Sequence, residues 1–314
     1  MNLHQFRFLQ EAVRRQLNLT ETAKALHTSQ PGISKAILEL EEELGIDIFA
    51  RYGKRLKRVT EPGEQVLKSV EIIMREVANL RRIGDEYSKQ DTGTLSIATT
   101  HTQARYFLPR PVAQLRQRYP KVQVVLHQGM PEQVAQMLLD DVAEIGLATE
   151  ALGAHPGLIT LPCYEWQHVL VVPAGHALAG VERPTLEQLA AHTLVLYHRT
   201  VTGRTRIDEA FARARLEPVV ALEAIDSDVI KTYVRLGLGV GIVAEQAMSG
   251  EPVDTDLAWR PLGHLFGANV ARVAFKRGAY LRQFVQAFAE LLSPRLSPPL
   301  LAQAMGDLGS DYQL

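Results

Sequence analysis

The segment Thr99 to Tyr106, TTHTQARY, places Thr100, Thr102 and Gln103 close together, two hydroxyls and an amide at the end of an apolar run. Uncharged donors at a strand-to-helix junction suit anion binding, because the free N–H groups of the helix N-terminus point to the same spot. A helix cap would use one of these side chains and leave the others unexplained. Three further residues occupy positions of a similar kind. Thr149 ends the run EIGLATE, Trp166 lies in LPCYEWQHVLVVP, and Thr202 sits in the turn HRTVTGRTR ahead of a helical pattern. Singly, each is more often a cap or a packing residue.

A different chemistry lies between Arg51 and Arg58, where Arg51, Lys54, Arg55, Lys57 and Arg58 occur without an acid among them. On a chain of net charge −1 this is a local anion-seeking patch or a solvated loop. Upstream, Thr28, Ser29, Gln30, Pro31, Ser34 and Lys35 gather at the start of a helical pattern. Gln reads adenine through two hydrogen bonds, while Ser, Thr and Lys hold phosphates or base edges. Enzyme chemistry finds little support. His155, His168, His176, His192 and His198 lack zinc-ligand spacing, and neither HExxH nor a serine elbow occurs. LGLGVG (Leu236 to Gly241) follows a helix pattern and precedes a strand, the reverse of a dinucleotide loop. The single Cys163 excludes an internal disulfide and reads as a packed residue in a reducing compartment. No catalytic residue, metal or cofactor is therefore expected.

The elements that position the basic cluster come first in the chain. Leu3, Phe6, Leu9 and Val13 have helical spacing, and Thr20 offers a cap for a short helix through Ala23, Ala25 and Leu26. Ser29 is placed as the next N-cap, with Pro31 in the first turn. Ile33, Ile37, Leu40 and Leu44 form the expected buried stripe, and Gly45 ends that helix. Two helices joined by a tight turn predict a helix-turn-helix, and FARYGKRLKRVT (Phe49 to Thr60) predicts a two-stranded wing turning at Gly53-Lys54. That placement turns the cations toward a DNA backbone. Val66, Val70, Ile73, Val77 and Leu80, with Tyr87 one heptad beyond, trace a coiled-coil seam or a helix lying on a core. After a DNA-binding module the dimerising reading is preferred.

The stretch Ala23 to Gly63 resembles the LysR-type transcriptional regulators. The Ser-Gln turn, Leu40-Glu41, Leu44-Gly45, Phe49 with Arg51, and Thr60-Glu61-Pro62-Gly63 carry the resemblance because all occur in order. Beyond Gly93, strand and helix patterns alternate, which predicts parallel sheets with helices on both faces. This resembles the effector domain of the same regulators, itself similar to periplasmic binding proteins. The fold class expected is α/β with an N-terminal all-α winged helix-turn-helix. Its boundaries are a winged helix-turn-helix at 1–59, a linker helix at 60–90, an effector domain at 91–292 and a tail at 293–314. Two Rossmann-like effector subdomains are expected, I at 91–161 and 268–292, II at 162–267, with the chain crossing near Leu161 and Gly267. The tail is Pro-broken and briefly helical around Leu300 to Met305, attached or mobile.

Thr100, Thr102, Gln103, Thr149, Trp166 and Thr202 together resemble the CysB branch of these regulators. That resemblance implies an effector cleft for N-acetylserine or O-acetylserine, with sulfate or thiosulfate as competing anions, and a role in sulfur and cysteine metabolism. Sulfonate or sulfate-starvation regulation is the alternative within the branch. It also implies promoter DNA and RNA polymerase as partners, and a homotetramer built as a dimer of dimers. Ala36 departs from the longer polar residue frequent at that helix position, which leaves the operator open. An apolar span of membrane length and an apolar N-terminal signal core are both missing, so a cytoplasmic protein is expected.

Overall fold

Asn2 and Gln5 open the first helix by capping each other, Gln5 N–H donating to Asn2 Oδ1 at 3.0 Å and Asn2 N–H to Gln5 Oε1 at 2.9 Å. The computed structural model describes residues 1–53, 55–88, 92–149, 152, 155–201, 203–248 and 254–306. They fall into two units, Met1–Gly84 and Asp85–Leu314.

In the first unit, α1 (Leu3–Arg14) is followed by α2 (Leu19–Ala25) and α3 (Gln30–Leu44). The cap of α2 is Asn18 rather than Thr20: its Oδ1 accepts from the Thr20 and Glu21 N–H groups at 3.1 and 3.2 Å. An Asn ahead of the helix competes better for these free N–H groups than a Thr already inside it. Ser29 caps α3, accepting from Gly32 N–H at 3.3 Å, and Gly45 ends it at φ 69°. Its buried face is Ile33, Ile37, Leu40 and Glu41, while Leu44 stays exposed. The wing pairs β1 (Phe49–Tyr52) with β2 (Arg55–Val59) antiparallel, Tyr52 opposite Arg55, with a bulge between Ala50 and Arg51.

One long helix, α4 (Glu61–Ser88), then leaves the wing. Thr60 Oγ1 accepts from Gly63 N–H at 3.0 Å, and a Cβ at Gly63 would lie 2.1 Å from the Ile48 carbonyl oxygen. Thr60-Glu61-Pro62-Gly63 is therefore a cap joined to a close backbone approach. The heptad seam divides in two. Val70 is buried in the core of Phe6, Leu9, Ile33 and Ile37, whereas Leu80 and Tyr87 are exposed.

In the second unit β3 (Gly93–Thr99) pairs parallel with β4 (Val122–Gln128) and β5 (Ile145–Ala148). The connecting helices are α5 (Pro109–Arg118) and α6 (Pro131–Leu139). The chain then runs along one long strand, β6 (Leu158–Pro173), before a short helix α7 (Leu186–Ala190). Next come β7 (Leu194–Tyr197), α8 (Arg204–Arg213), β8 (Val220–Ala224), α9 (Ser227–Arg235) and β9 (Val240–Ala244). β7 pairs parallel with β8 and β9. Then β10 (Leu257–Pro261), α10 (Gly263–Phe266), β11 (Ala268–Lys276), α11 (Gln283–Leu292) and α12 (Pro298–Gly306) complete the chain.

The βαβ order gives the parallel pairs, but the two strands that link the halves are antiparallel. β6 pairs with β11 over Leu158 to Gln167, then with β9 from His168 onward. The chain thus changes halves at Gln167/His168, several residues beyond the expected Leu161, because the Pro162 to Trp166 stretch still pairs with β11. The tail as far as Gly306 is packed: Leu296 and Leu301 are buried in the core that holds Leu115, Phe284 and Phe288. Among the described residues, no helix is long and apolar enough to cross a membrane.

Candidate functional site

Two surfaces carry the predicted chemistry. In the first unit, Ser29 Oγ is engaged as the α3 cap, Gln30 and Pro31 form the first helical positions, and Thr28 precedes them. Thr28, Ser29, Pro31 and Lys35 are exposed; Gln30 and Ser34 are half-buried on the same end of the helix. Lys35 Nζ lies 3.6 Å from Glu39, an exposed pair that releases the cation readily. On the wing Arg55, Lys57 and Arg58 are exposed around buried Leu56. Lys54 lies outside the described residues.

Arg51 differs from its neighbours in the basic cluster. Its Nη2 lies 2.6 Å from Glu41 Oε2, and its side chain is 22% exposed. Glu41 Oε1 also accepts from the Ile48 and Phe49 N–H groups at 2.9 and 3.0 Å. A buried carboxylate needs such a cation and such donors. Arg51 thus has a role inside the protein: it neutralises Glu41 and ties α3 to the wing. Ile33, Ile37 and Leu40 gave a helical period, but nothing in periodicity indicated that the next buried position would be an acid.

In the second unit Thr100, Thr102, Gln103, Thr149 and Trp166 line one cavity. Pro131, Tyr197, Val201 and Ala244 complete the lining. Thr202 lies outside the described residues, beside Val201. The cavity collects the carboxyl ends of β3, β5, β7 and β9, where parallel strands leave space and helices begin. Behind Thr102 the chain makes a π turn, Gln103–Phe107, with Leu108 N–H donating to Gln103 carbonyl at 2.9 Å. Pro109 and Pro111 carry no N–H, so the regular α5 helix begins only after that turn.

None of the described lining residues is charged. Gln103 is buried and accepts from the Tyr164 hydroxyl. Thr102 Oγ1 and Ser227 Oγ face each other across the cleft at 3.5 Å, and Ser227 is 2.5 Å from the Tyr197 hydroxyl. Tyr197 OH also accepts from Ala244 N–H at 3.0 Å, and burial raises its pKa so that it stays a neutral hydroxyl. Thr149 Oγ1 and Trp166 Nε1 are buried without a hydrogen-bond partner. An indole N–H only donates, and burying a donor unpaired costs about 1–3 kcal/mol, so both atoms suit a ligand rich in acceptor oxygens. Cys163 is placed apart, in the core; burial pushes its thiol up to about 12, so it stays protonated and inert. Tyr197 and Ser227 were missed in the sequence, since a strand-end Tyr and a helix-start Ser read as packing and capping.

Residues 3–64 match the bacterial regulatory helix-turn-helix proteins of the lysR family, and residues 88–297 match the LysR substrate binding domain. The chain belongs to the LysR family. It is 54% identical to the HTH-type transcriptional regulator CysB of Burkholderia cenocepacia over 314 residues, all of both chains. It is 48% identical to the regulator SsuR of the same organism over 303 residues, 96% of this chain and 98% of that one. The crystal structure of the cofactor-binding domain of the Cbl transcriptional regulator superposes with a TM-score of 0.66 at 45% identity, covering 69% of this chain and 95% of that one. This LysR-family chain is thus a DNA-binding transcriptional regulator and not an enzyme, with an effector domain of two α/β subdomains.

Proposed function

We propose that this regulator controls genes of sulfur and cysteine metabolism, and that a small oxyanion in the cleft between its effector subdomains sets its activity. N-acetylserine, O-acetylserine, sulfate and thiosulfate are the candidate effectors. The observation that carries this reading is a cavity whose described lining residues carry no charge and include two buried, unpartnered donors, Thr149 Oγ1 and Trp166 Nε1. Hydrogen bonds and helix N-termini hold a fully ionised anion without a counter-charge, and the resemblance to CysB supports the choice of ligands. Thr202 is proposed to add a further hydroxyl.

Thr28, Ser29, Gln30, Pro31, Ser34 and Lys35 are proposed to meet promoter DNA, and Lys54 and Arg55 its backbone. The exposed residues of the second half of α4 suit pairing of two chains, and two such dimers would form the tetramer that contacts RNA polymerase. Effector binding shifts the population of subdomain angles only if it prefers one of them. Calorimetric titration of the full chain with each of the four compounds tests the reading. Binding of an acetylserine with a changed footprint on promoter DNA supports it; no binding of any of the four removes the sulfur assignment.

A further inference from the structure

His168 sits where β6 leaves β11 and joins β9, so it marks the passage between the two halves of the effector unit. It is fully buried, and its surroundings are specific. The Trp166 ring meets it edge to face at 5.0 Å, and the Phe266 ring does the same at 5.7 Å. Its Nδ1 lies 3.5 Å from Asn269 Nδ2, while its Nε2 has no hydrogen-bond partner. That free Nε2 faces the turn before α8: a Cβ on Gly203 would lie 2.7 Å from it and 3.0 Å from Trp166 Cη2. Gly203 has φ +91°, so a side chain there would be strained as well as crowded.

We propose that His168 is a positioning residue of the effector cleft: its ring is the post against which the Trp166 indole and the Gly203 turn both rest. One pocket wall comes from Trp166 and an adjoining one from Val201, two residues ahead of Gly203. Moving the post displaces both walls, although His168 itself does not line the cavity. Burial and nearby Arg206 lower its pKa to about 3, so the ring that packs there is uncharged at neutral pH. The inference rests on the effector reading of the cleft, but part of its test does not.

The chain has two tryptophans, Trp166 and the more exposed Trp259. In full-length Trp259→Phe protein, emission therefore reports Trp166 alone. His168→Leu is expected to red-shift that emission, to open it to acrylamide quenching, and to weaken N-acetylserine or sulfate binding about tenfold, the scale of a lost edge-to-face contact in a closed site. His168→Gln, which keeps a flat polar group, is expected to restore most of both signals. Gly203→Ala attacks the same contact from the other side and serves if His168→Leu fails to fold. Wild-type emission and affinity in both His168→Leu and Gly203→Ala overturn the proposal, as does His168→Gln behaving like His168→Leu. If the parent protein binds neither probe, the effector reading fails separately. An unchanged Trp166 emission would then still overturn the positioning role, and a red shift would sustain it.

Discussion

The two units present opposite chemistry at their candidate sites. The first displays its cations: Arg55, Lys57 and Arg58 stand exposed on a short hairpin, and Lys35 projects from the recognition helix. The second has no charged side chain among the described residues lining its cavity, which offers hydroxyls, an amide, an indole N–H and the ends of strands. Its buried arginine is turned away and consumed internally, Arg204 pairing with Asp208 and Glu223 at 2.8 Å each. On the proposed function, the difference follows from the ligands. A DNA backbone is an extended, hydrated lattice of charge, met by flexible cations whose binding releases counterions. A small oxyanion has to be enclosed, and enclosed cations would bind every anion and suffer desolvation when empty. Neutral directional donors discriminate by geometry instead.

Arg51 is the residue on which this contrast is most easily broken. If it belongs to the displayed cations, Arg51→Met lowers DNA affinity and leaves stability alone. The Glu41 contact predicts the reverse emphasis. Stranding a buried carboxylate costs about 3–5 kcal/mol, so the melting transition of the first unit should fall sharply. DNA binding is then lost through unfolding, while effector binding by the second unit persists. Differential scanning calorimetry with a parallel effector titration separates the two outcomes.

The cleft makes a complementary prediction. Thr149→Val removes a buried hydroxyl that has no hydrogen-bond partner within the protein. Stability without effector should stay level or rise, because an unpaired polar group is replaced by a methyl of the same shape. Effector affinity should drop by about 1.5–3 kcal/mol, the value of a hydrogen bond to a charged group. A loss of stability together with an unchanged affinity would show that Thr149 serves the fold.

Much of this organisation was legible in the sequence, for unequal reasons. The helix-turn-helix could be read because Ser29, Pro31, Ile33, Ile37 and Gly45 all act within one helix and its caps. The cavity could be read from Thr100, Thr102 and Gln103 because three donors exceed what a single cap needs. Tyr197 and Ala244 could not be found this way, since they reach the cavity only through the pairing of β7 with β9, nor could Ser227, which at the start of α9 touches the lining residues Thr102 and Tyr197. Glu41 with Arg51 escaped because charge patterning treats every cation alike until burial assigns a partner. The passage of β6 between halves escaped as well: one strand runs unbroken from Leu158 to Pro173, while the pairing partner changes midway.

Acid should sharpen the contrast by acting on one unit through His168. Its folded pKa of about 3 lies below the unfolded value, so the folded state binds fewer protons in between. Its contribution is fully present above about pH 6.5 and is lost as pH falls toward 3, with a slope approaching 1.4 kcal/mol per pH unit, about tenfold in equilibrium each. His168→Gln should flatten that part of the second unit's pH–stability curve and leave the first unit's unchanged. An equal slope in the variant would assign the acid sensitivity to other groups.

Smallest is the effect expected at the exposed end of the comparison. Arg55 lies on the wing without burial, so Arg55→Ala should leave melting unchanged and weaken binding to all DNA sequences by a similar factor. Removing one phosphate contact should reduce the slope of log affinity against log salt by about 0.9, which amounts to roughly three- to fourfold between 50 and 200 mM salt. Gln30→Ala, at the first position of α3, should behave differently. It should leave the salt slope intact and relax preference at one base pair, by about 1–3 kcal/mol for a paired base contact. A sequence-dependent loss for Arg55→Ala would move that residue from the backbone to a base edge, and with it the boundary between the cations that hold DNA and the side chains that read it.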